Sequence, residues 1–376
     1  MEVKKNILLT PGPATTTDSV KQAQVVPDIC PREKEFEEVM QHVRQDLVKI
    51  VNGAENYTSI LFAGSGTAVM DACINSVVPP GKNIAIVNNG AYGERMVKIA
   101  RAYGIGCVEI SSPWGEMPDL TRIESEVKKN KDVSCLAMIH HETTTGMLNP
   151  IKQVAQIAGK NDCVFIVDAI SSYAGIPIDI NDLGADFLLS TSNKCIQGMA
   201  GLAFVICRKS ELERTKSYPA RSFYLNLYQQ FDCFERTGQM RFTPPVQVIY
   251  ALRQAIAEYF QEGGIKRWGR YSENWETLRS GLDEIGFEFL LKPEQESRLL
   301  TSVLAPNDPK YDFKKMHDLL YERGFTIYPG KILRDETFRI ANIGDINSND
   351  IKAFIESLKA VLAKMEINLN VDRGSR

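Results

Sequence analysis

Cys163-Val-Phe-Ile-Val-Asp168 and Phe187-Leu-Leu-Ser-Thr-Ser-Asn-Lys194 are the segments that indicate most clearly how this chain folds. In each, a short apolar run ends in polar residues, a pattern typical of a buried strand in a parallel sheet. Ligands bind beyond the carboxyl ends of such strands, because the connecting loops form a crevice there. Asp168 and Lys194 are therefore predicted to face one site from successive strands.

Similar apolar runs, separated by amphipathic segments, extend this pattern over the middle of the chain. We predict strands at residues 83–87, 135–139, 163–167, 187–189 and 203–206, and helices at 66–78, 93–102 and 151–159. This alternation is typical of parallel strands joined by crossover helices. Further helices are predicted at 36–51 and 246–260, and the second of them is ended by Gly263 and Gly264.

The chain of 376 residues is longer than one hydrophobic core usually supports, which predicts either two domains or one large α/β unit with an appendage. After about Leu278 the pattern changes to strands interleaved with two helices, at residues 313–321 and 350–365. We predict an α/β protein whose large domain, residues 16–275, holds a mostly parallel sheet between helices. Residues 1–15 and 276–376 are predicted to form a smaller α+β domain.

Charge and composition point to small-molecule partners. The net charge is −3, and Lys and Arg are scattered without the basic stripe that binds nucleic acid or anionic lipid, so we expect neither partner. The sequence lacks the apolar run of a signal peptide or a membrane span, which predicts a cytoplasmic protein. The eight cysteines show no metal-ligand spacing, so no metal site is predicted.

Three polar segments after apolar runs can be interpreted as catalytic or as structural. Gly64-Ser-Gly-Thr67 opens a helix whose free amides suit a phosphate, although such a turn is often only a loop. Asp168 can simply cap the next turn, and a lone lysine such as Lys194 is usually a surface residue. Together they indicate pyridoxal phosphate (PLP) chemistry, which needs a lysine amine and a carboxylate at the pyridinium nitrogen.

Two further segments follow predicted strands. Asn88-Asn-Gly-Ala-Tyr-Gly93 places Tyr92 where it can stack on a planar ring or pack against its neighbours. His140-His-Glu-Thr-Thr-Thr-Gly146 is rich in hydrogen-bonding side chains. Its paired histidines do not indicate a metal site, because adjacent residues of an extended strand point to opposite faces.

These segments, in this order, resemble the class V aminotransferases of the fold-type I PLP enzymes, and the similarity covers nearly the whole chain. The matching motifs are Leu8-Leu-Thr-Pro-Gly-Pro-Ala-Thr-Thr16, Gly64-Ser-Gly-Thr67, Asn89-Gly-Ala-Tyr-Gly93, His141-Glu-Thr-Thr-Thr-Gly146, Val167-Asp-Ala169, Ser192-Asn-Lys-Cys-Ile-Gln-Gly198, Arg241-Phe-Thr-Pro-Pro245 and Thr337-Phe-Arg-Ile-Ala-Asn-Ile-Gly344. Two of these, around Lys194 and Arg339, resemble the branch of the family that acts on phosphonates.

The resemblance implies a role for each matching residue. Lys194 would hold PLP as a Schiff base, Asp168 would pair with the pyridinium nitrogen, and Arg339 would bind the acid group of the substrate. Ala341 stands where close relatives usually have glycine, which implies a narrower pocket near Arg339. The remaining implied cofactor contacts are the ring neighbours Tyr92 and Thr143, the phosphate-binding residues Ser65, Gly66, Thr67 and Ser192, and Thr243 from the neighbouring subunit of a homodimer with shared active sites.

The activity that the resemblance implies is a ping-pong transfer of the amino group of 2-aminoethylphosphonate to pyruvate, giving phosphonoacetaldehyde and L-alanine. An alanine:glyoxylate or serine:pyruvate aminotransferase of the same family would share the cofactor residues and differ in substrate. A non-enzymatic sensor of this fold is a third interpretation. A cysteine desulfurase needs a mobile catalytic cysteine late in the chain, and no cysteine follows Cys233, which argues against it.

Overall fold

The apolar runs of the sequence form a seven-stranded sheet in the computed structural model, which describes residues 4–330 and 337–369. The strands of this part of the chain are β1 Ile7–Leu8, β2 Tyr57–Ala63, β3 Asn83–Asn88, β4 Gly106–Ser111, β5 Val133–Ile139, β6 His141–Glu142, β7 Met147–Leu148, β8 Val164–Asp168, β9 Phe187–Thr191, β10 Leu202–Arg208, β11 Leu300–Leu304, β12 Phe325–Thr326, β13 Tyr328–Pro329 and β14 Thr337–Ala341. The order in the large sheet is β2-β10-β9-β8-β5-β3-β4.

Helices join most of the strands. Those of the described residues are α1 Asp18–Gln22, α2 Lys34–Lys49, α3 Gly66–Val77, α4 Ala91–Ala102, α5 Leu120–Lys129, α6 Ile151–Lys160, α7 Ile180–Leu183, α8 Lys209–Arg214, α9 Leu227–Thr237, α10 Val246–Glu262, α11 Gly264–Ile285, α12 Phe313–Glu322 and α13 Ser348–Lys364. Helices α2, α3, α4 and α6 pack against the large sheet, so its strands are largely buried except for the partly exposed edge strand β4. Within the same residues, no helix is both long and apolar enough to cross a lipid bilayer.

The predicted strands and helices are present, and the sheet is mostly parallel as expected. One prediction of direction is wrong, because β10, predicted as a parallel strand at 203–206, runs antiparallel to both β9 and β2. Residues 192–201 between β9 and β10 are too few for the crossover that a parallel pair needs. The predicted end of α10 is also partly wrong, because Gly263 alone separates the helices and Gly264 begins α11.

A second group of buried side chains lies towards the C-terminus. Here β11, β14 and β13 form a sheet, and Leu278, Phe338 and Phe354 belong to its hydrophobic core. The strand β1 pairs with β12, so Ile7 and Leu8 pack with this group of elements. We propose that the molecule divides into residues 16–275 and residues 1–15 with 276–376, with α11 running across the boundary.

Candidate active site

Asp168 and Lys194 lie at the carboxyl ends of neighbouring parallel strands. Asp168 is the last residue of β8 and pairs with Leu189 of β9, and Lys194 follows the end of β9. The Asp168 side chain is buried, and its Oδ1 atom accepts a hydrogen bond of 2.8 Å from the backbone N–H of Ile170. The Lys194 Nζ atom donates to the carbonyl of Pro11. Both predicted catalytic residues are thus brought to one edge of the sheet.

The Asp168 carboxyl group has an unusual environment. Burial raises its pKa to about 7, and the nearby carboxyl group of Glu142 adds to this rise. The positive charges of Arg95 and Lys194 act in the opposite direction on the pKa. A buried acid whose pKa is shifted this far by desolvation and by specific charges is typical of a functional site.

The first turn of α3 lies next to Ile170, two residues after Asp168. Gly66 begins this helix, and a Cβ atom there would come 2.8 Å from the Cδ1 atom of Ile170, so a larger residue would require the Ile170 side chain to shift. Ser65 precedes the helix and is exposed. The Thr67 hydroxyl accepts a hydrogen bond of 3.0 Å from Arg95. The free amides of this helix end, with a guanidinium close by, suit a phosphate.

Tyr92 lies on the first turn of α4, partly buried, beside the start of α3. The Arg95 guanidinium carbon lies 4.7 Å from the centre of the Tyr92 ring and connects this ring to Thr67. Sequence reasoning missed Arg95, although it comes one helical turn after Tyr92 and so shares its face of the helix.

Thr143, in the loop between β6 and β7, contacts Arg339 of β14. Arg339 of β14 is 1% exposed, and its Nη1 atom donates a hydrogen bond of 2.8 Å to the Thr143 carbonyl. Its Nε and Nη2 atoms donate to the Pro329 carbonyl at 3.1 and 3.0 Å. Among the described residues, no carboxylate lies within ion-pair distance of this guanidinium. Ala341, on the same strand, is also buried, and its N–H donates to the Leu9 carbonyl at 3.0 Å.

Two predicted phosphate contacts are placed differently from the others. The hydroxyl of Ser192 is buried and donates hydrogen bonds to the carbonyls of Met199 and Leu202. Nearby backbone groups are therefore its partners. Thr243 is exposed, in the segment between α9 and α10. None of the contacts described above connects Thr243 with Lys194 of the same subunit.

Glu142 is a buried carboxyl group that sequence analysis quoted within a motif but gave no role. Its Oε1 atom accepts hydrogen bonds from the Thr144 hydroxyl at 2.5 Å and from the Thr144 N–H at 3.1 Å. Its Oε2 atom accepts one from the Gly93 N–H at 3.3 Å, in the first turn of α4. Burial raises the pKa of Glu142, and these hydrogen bonds lower it. Glu142 therefore connects the loop of Thr143 to the helix of Tyr92.

Comparison with known proteins assigns the family. The sequence pattern described as aminotransferase class-V matches residues 19–333. The chain belongs to the class-V aminotransferases. It is a PLP-dependent transaminase, with the cofactor that this family uses.

Named relatives match the sequence over nearly the full chain. A 2-aminoethylphosphonate–pyruvate transaminase of Phocaeicola vulgatus is 41% identical over 94% of this chain and 98% of the relative. One of Klebsiella pneumoniae, with the same name, is 41% identical over 95% and 98%. The solved alanine–glyoxylate aminotransferase of Nostoc sp. superimposes with a TM-score of 0.89, at 28% identity, and covers 96% of each chain.

The residues of this class-V aminotransferase fit PLP. The Thr143 hydroxyl is buried and has no hydrogen-bond partner within the described residues, so it retains the capacity to bind a ligand. A buried polar atom without a partner is costly, and a bound group would relieve that cost. The first turn of α3 suits the phosphate, Asp168 suits a protonated ring nitrogen, and Lys194 supplies an amine. No group of three or more His, Cys, Asp or Glu side chains in residues 4–330 and 337–369 is arranged to hold a metal ion.

Proposed function

We propose that this transaminase moves the amino group of 2-aminoethylphosphonate to pyruvate, giving phosphonoacetaldehyde and L-alanine by a ping-pong reaction. The names of relatives that are 41% identical over nearly their full length support this choice of substrates. Both substrates carry an anionic group into the same pocket, so one cationic side chain can serve both half-reactions.

The observation that carries the proposal is the buried guanidinium of Arg339. Burial of a charge without an opposite charge is costly, and burial lowers the pKa of Arg339. Its described hydrogen bonds go to two backbone carbonyls, which leaves N–H donors on Nη1 and Nη2 for a further acceptor. A carboxylate or a phosphonate can accept both in bidentate fashion and supply the missing negative charge.

The remaining roles follow from the positions of the side chains. Bound PLP supplies an aldehyde that combines with amines and a ring that withdraws electrons from the substrate carbon. Lys194 would hold this aldehyde as a Schiff base and, once released, move a proton at the substrate carbon. Asp168 would keep the ring nitrogen protonated, and the buried position of its carboxyl group makes an opposite charge there favourable.

The other proposed cofactor contacts surround this pair. Tyr92 would stack on the ring and Thr143 would donate a hydrogen bond beside it, which its unpartnered hydroxyl permits. The phosphate would be held at the start of α3 and its surroundings, by Ser65, Gly66, Thr67 and Ser192. To bind the phosphate, the Ser192 hydroxyl would exchange its hydrogen bonds to the Met199 and Leu202 carbonyls for one to a phosphate oxygen.

We further propose a homodimer in which Thr243 reaches the phosphate in the neighbouring subunit. Phe223 is 77% exposed, and its ring lies 5.9 Å from that of Phe242, next to Thr243 in the chain. Tyr224 stacks on Phe242 at 5.1 Å, so an aromatic surface surrounds the proposed contact residue. Exposed aromatic groups of this kind are typical of protein interfaces. A cytoplasmic location and the absence of nucleic-acid or membrane partners stay predictions from the sequence.

An alanine:glyoxylate or serine:pyruvate aminotransferase is the second candidate. The structural similarity to the Nostoc alanine–glyoxylate aminotransferase favours it, because the two chains share the same fold over nearly their full length. The sensor interpretation has no such support, since Lys194, Asp168 and Arg339, the residues proposed for catalysis and substrate binding, are all present in the sequence.

An assay across amino donors tests the proposal. Purified enzyme is given 2-aminoethylphosphonate, L-alanine or L-serine, with pyruvate or glyoxylate as acceptor, and the amino-acid product is measured. We expect the highest kcat/KM for 2-aminoethylphosphonate with pyruvate, whereas preference for alanine with glyoxylate would support the second candidate. No turnover with any donor would favour the sensor.

Two variants then test the residues. Arg339→Lys is expected to lower kcat/KM on the order of 100-fold through loss of a bidentate contact, while Arg101→Lys, in an exposed ion pair with Glu109, should have no effect. Lys194→Ala should abolish the absorbance band that borohydride reduces. A band that persists in this variant would mean that another amine holds the cofactor.

A further inference from the structure

A loop at the N-terminus, residues 9–14, lies directly on Lys194. The Pro11 carbonyl accepts the hydrogen bond of the lysine amine, and the Ala14 N–H donates to the Asn193 carbonyl at 3.1 Å. At its other end the loop is fixed by Leu9, which is fully buried and whose N–H donates to the Thr326 carbonyl at 2.8 Å. The loop is therefore held on both sides of the point where it meets the lysine.

Gly12 makes the close approach of this loop to Lys194 sterically feasible. Its φ angle is +137°, and a Cβ atom at this position would lie within 3.0 Å of the Nζ, Cδ and Cε atoms of Lys194. These are the nearest heavy atoms around that Cβ position. The end of a lysine side chain can move, whereas the loop is fixed by backbone hydrogen bonds. A side chain at residue 12 would therefore displace the amine.

We propose that Gly12 is a positioning residue for Lys194, and that the Pro11 carbonyl holds the lysine amine while it is not bonded to the cofactor. The second half of this proposal rests on the function proposed above for Lys194. An ammonium group is a strong donor and a backbone carbonyl is a good acceptor, so the released amine has a defined position close to the reacting atoms. Because Gly12 has no side chain, the end of the Lys194 side chain has room to occupy this position.

A double-mutant cycle tests the positioning without reference to the cofactor. Thermal unfolding is measured for the full-length, cofactor-free wild type, Gly12→Ala, Lys194→Ala and the double variant. We expect Gly12→Ala to lower Tm more when Lys194 is present than when residue 194 is alanine, because only the first case contains the overlap. An equal loss in both backgrounds would overturn the proposal, since backbone strain alone would explain it.

Gly115 provides the matched control. Its φ angle is +91°, and a Cβ atom there would meet only Leu290 and Leu291, at 3.9 Å or more. Gly115→Ala therefore adds strain at a positive φ without touching Lys194, and its effect on Tm should be the same in both backgrounds. If Gly12→Ala fails to fold while the double variant folds, the proposal is supported. If neither variant folds, backbone strain at residue 12 alone explains the loss and the proposal is wrong.

Cofactor attachment provides a second measurement. PLP is added to each cofactor-free protein, borohydride reduces the carbon–nitrogen double bond at timed intervals, and the modified lysine is counted by mass spectrometry. Gly12→Ala should slow attachment at Lys194 on the order of 100-fold, the scale on which a misplacement of about 1 Å changes a rate. Gly115→Ala should attach PLP at the wild-type rate.

The two measurements separate failure of this inference from failure of the proposed function. If the wild type carries no PLP on Lys194, the proposed function of the lysine is wrong, yet the unfolding cycle still reports whether Gly12 positions its side chain. If the wild type attaches PLP normally and Gly12→Ala attaches it equally fast, the inference is wrong and the function of Lys194 stands.

Discussion

At the scale of single residues, Asp168 combines burial with a carboxyl group whose pKa is raised to about 7. In the unfolded chain this group has its ordinary pKa of 3.8. The folded protein therefore binds the proton more tightly than the unfolded chain does. A raised pKa contributes stability that is fully present below pH 3.8 and is lost as the pH rises through about 7.

This sign gives a prediction for the cofactor-free protein. As the pH rises from 5 to 8, the wild type should lose about 2–3 kcal/mol of unfolding free energy that Asp168→Asn does not lose. The reason is that the substituted side chain has no proton to release. Chemical denaturation at both pH values measures this difference. Burial lowers the pKa of His140 to about 3 and of His141 to about 4, but both are present in both proteins and cancel in the comparison. An unchanged difference between the two proteins would mean that Asp168 titrates normally.

At the scale of secondary-structure elements, the first turn of α4 depends on Glu142. The carboxylate accepts hydrogen bonds from the Thr144 N–H and the Gly93 N–H, and the Thr144 hydroxyl in turn accepts one from the Ala91 N–H at 2.9 Å. A carboxylate at a helix N-terminus is favoured by the helix dipole as well as by these donors. The position of Tyr92, within this turn, is therefore set by a side chain from β6.

Substitution of Glu142 should destabilise this helix start. Glu142→Ala leaves buried N–H groups without an acceptor and should cost about 2–4 kcal/mol of unfolding free energy, whereas Glu142→Gln keeps one acceptor oxygen and should cost less. Glu124→Ala, which removes a surface i,i+4 ion pair with Lys128, should lower the stability much less than either Glu142 variant. Denaturant unfolding ranks the three variants. Equal losses for Ala and Gln would show that the hydrogen bonds do not matter.

The sequence predicts elements better than it predicts their direction. The apolar runs that end in Asp168 and at residue 189 predict buried strands, and the residues after them predict the site, because strand ends and ligands coincide in such sheets. β2 and β4 were missed because β2 begins with polar residues and β4 is partly exposed, so neither shows a long apolar run. The direction of β10 depends on the length of its connection to β9, which the apolar pattern does not contain.

Contacts between distant segments explain what else sequence analysis missed. The closeness of Gly12 to Lys194 and of Arg339 to Thr143 is tertiary, and no local pattern in either segment indicates it. The family resemblance assigned roles to Lys194, Asp168 and Arg339. It could not assign a role to Glu142 or Arg95. Their positions depend on how the start of α4 packs against the loops around it.

At the scale of the whole chain, segments from its beginning, middle and end meet at the proposed site. Arg339 reaches Thr143 from β14, and the Ser297 hydroxyl lies 2.8 Å from the Nε2 atom of His141. Pro11 reaches Lys194 from the N-terminal segment, which pairs with β12. The proposed substrate contact and the proposed contacts of Lys194 thus come from segments that are distant in the sequence. The proposed contribution of Thr243 would add a second subunit to the same site.

A heterodimer can show on which subunit Thr243 acts. Thr243→Ala alone should weaken PLP binding about tenfold or more, through loss of a hydrogen bond to a charged phosphate, and Lys194→Ala should be inactive. Chains that carry either substitution, with different affinity tags, are co-expressed, and the mixed dimer is purified and assayed at limiting PLP. If Thr243 acts across the interface, one of its sites contains both native residues and activity should reach about half that of the wild type. If Thr243 acts within its own subunit, the only site with Lys194 lacks Thr243, and activity should stay at or below that of the Thr243→Ala protein.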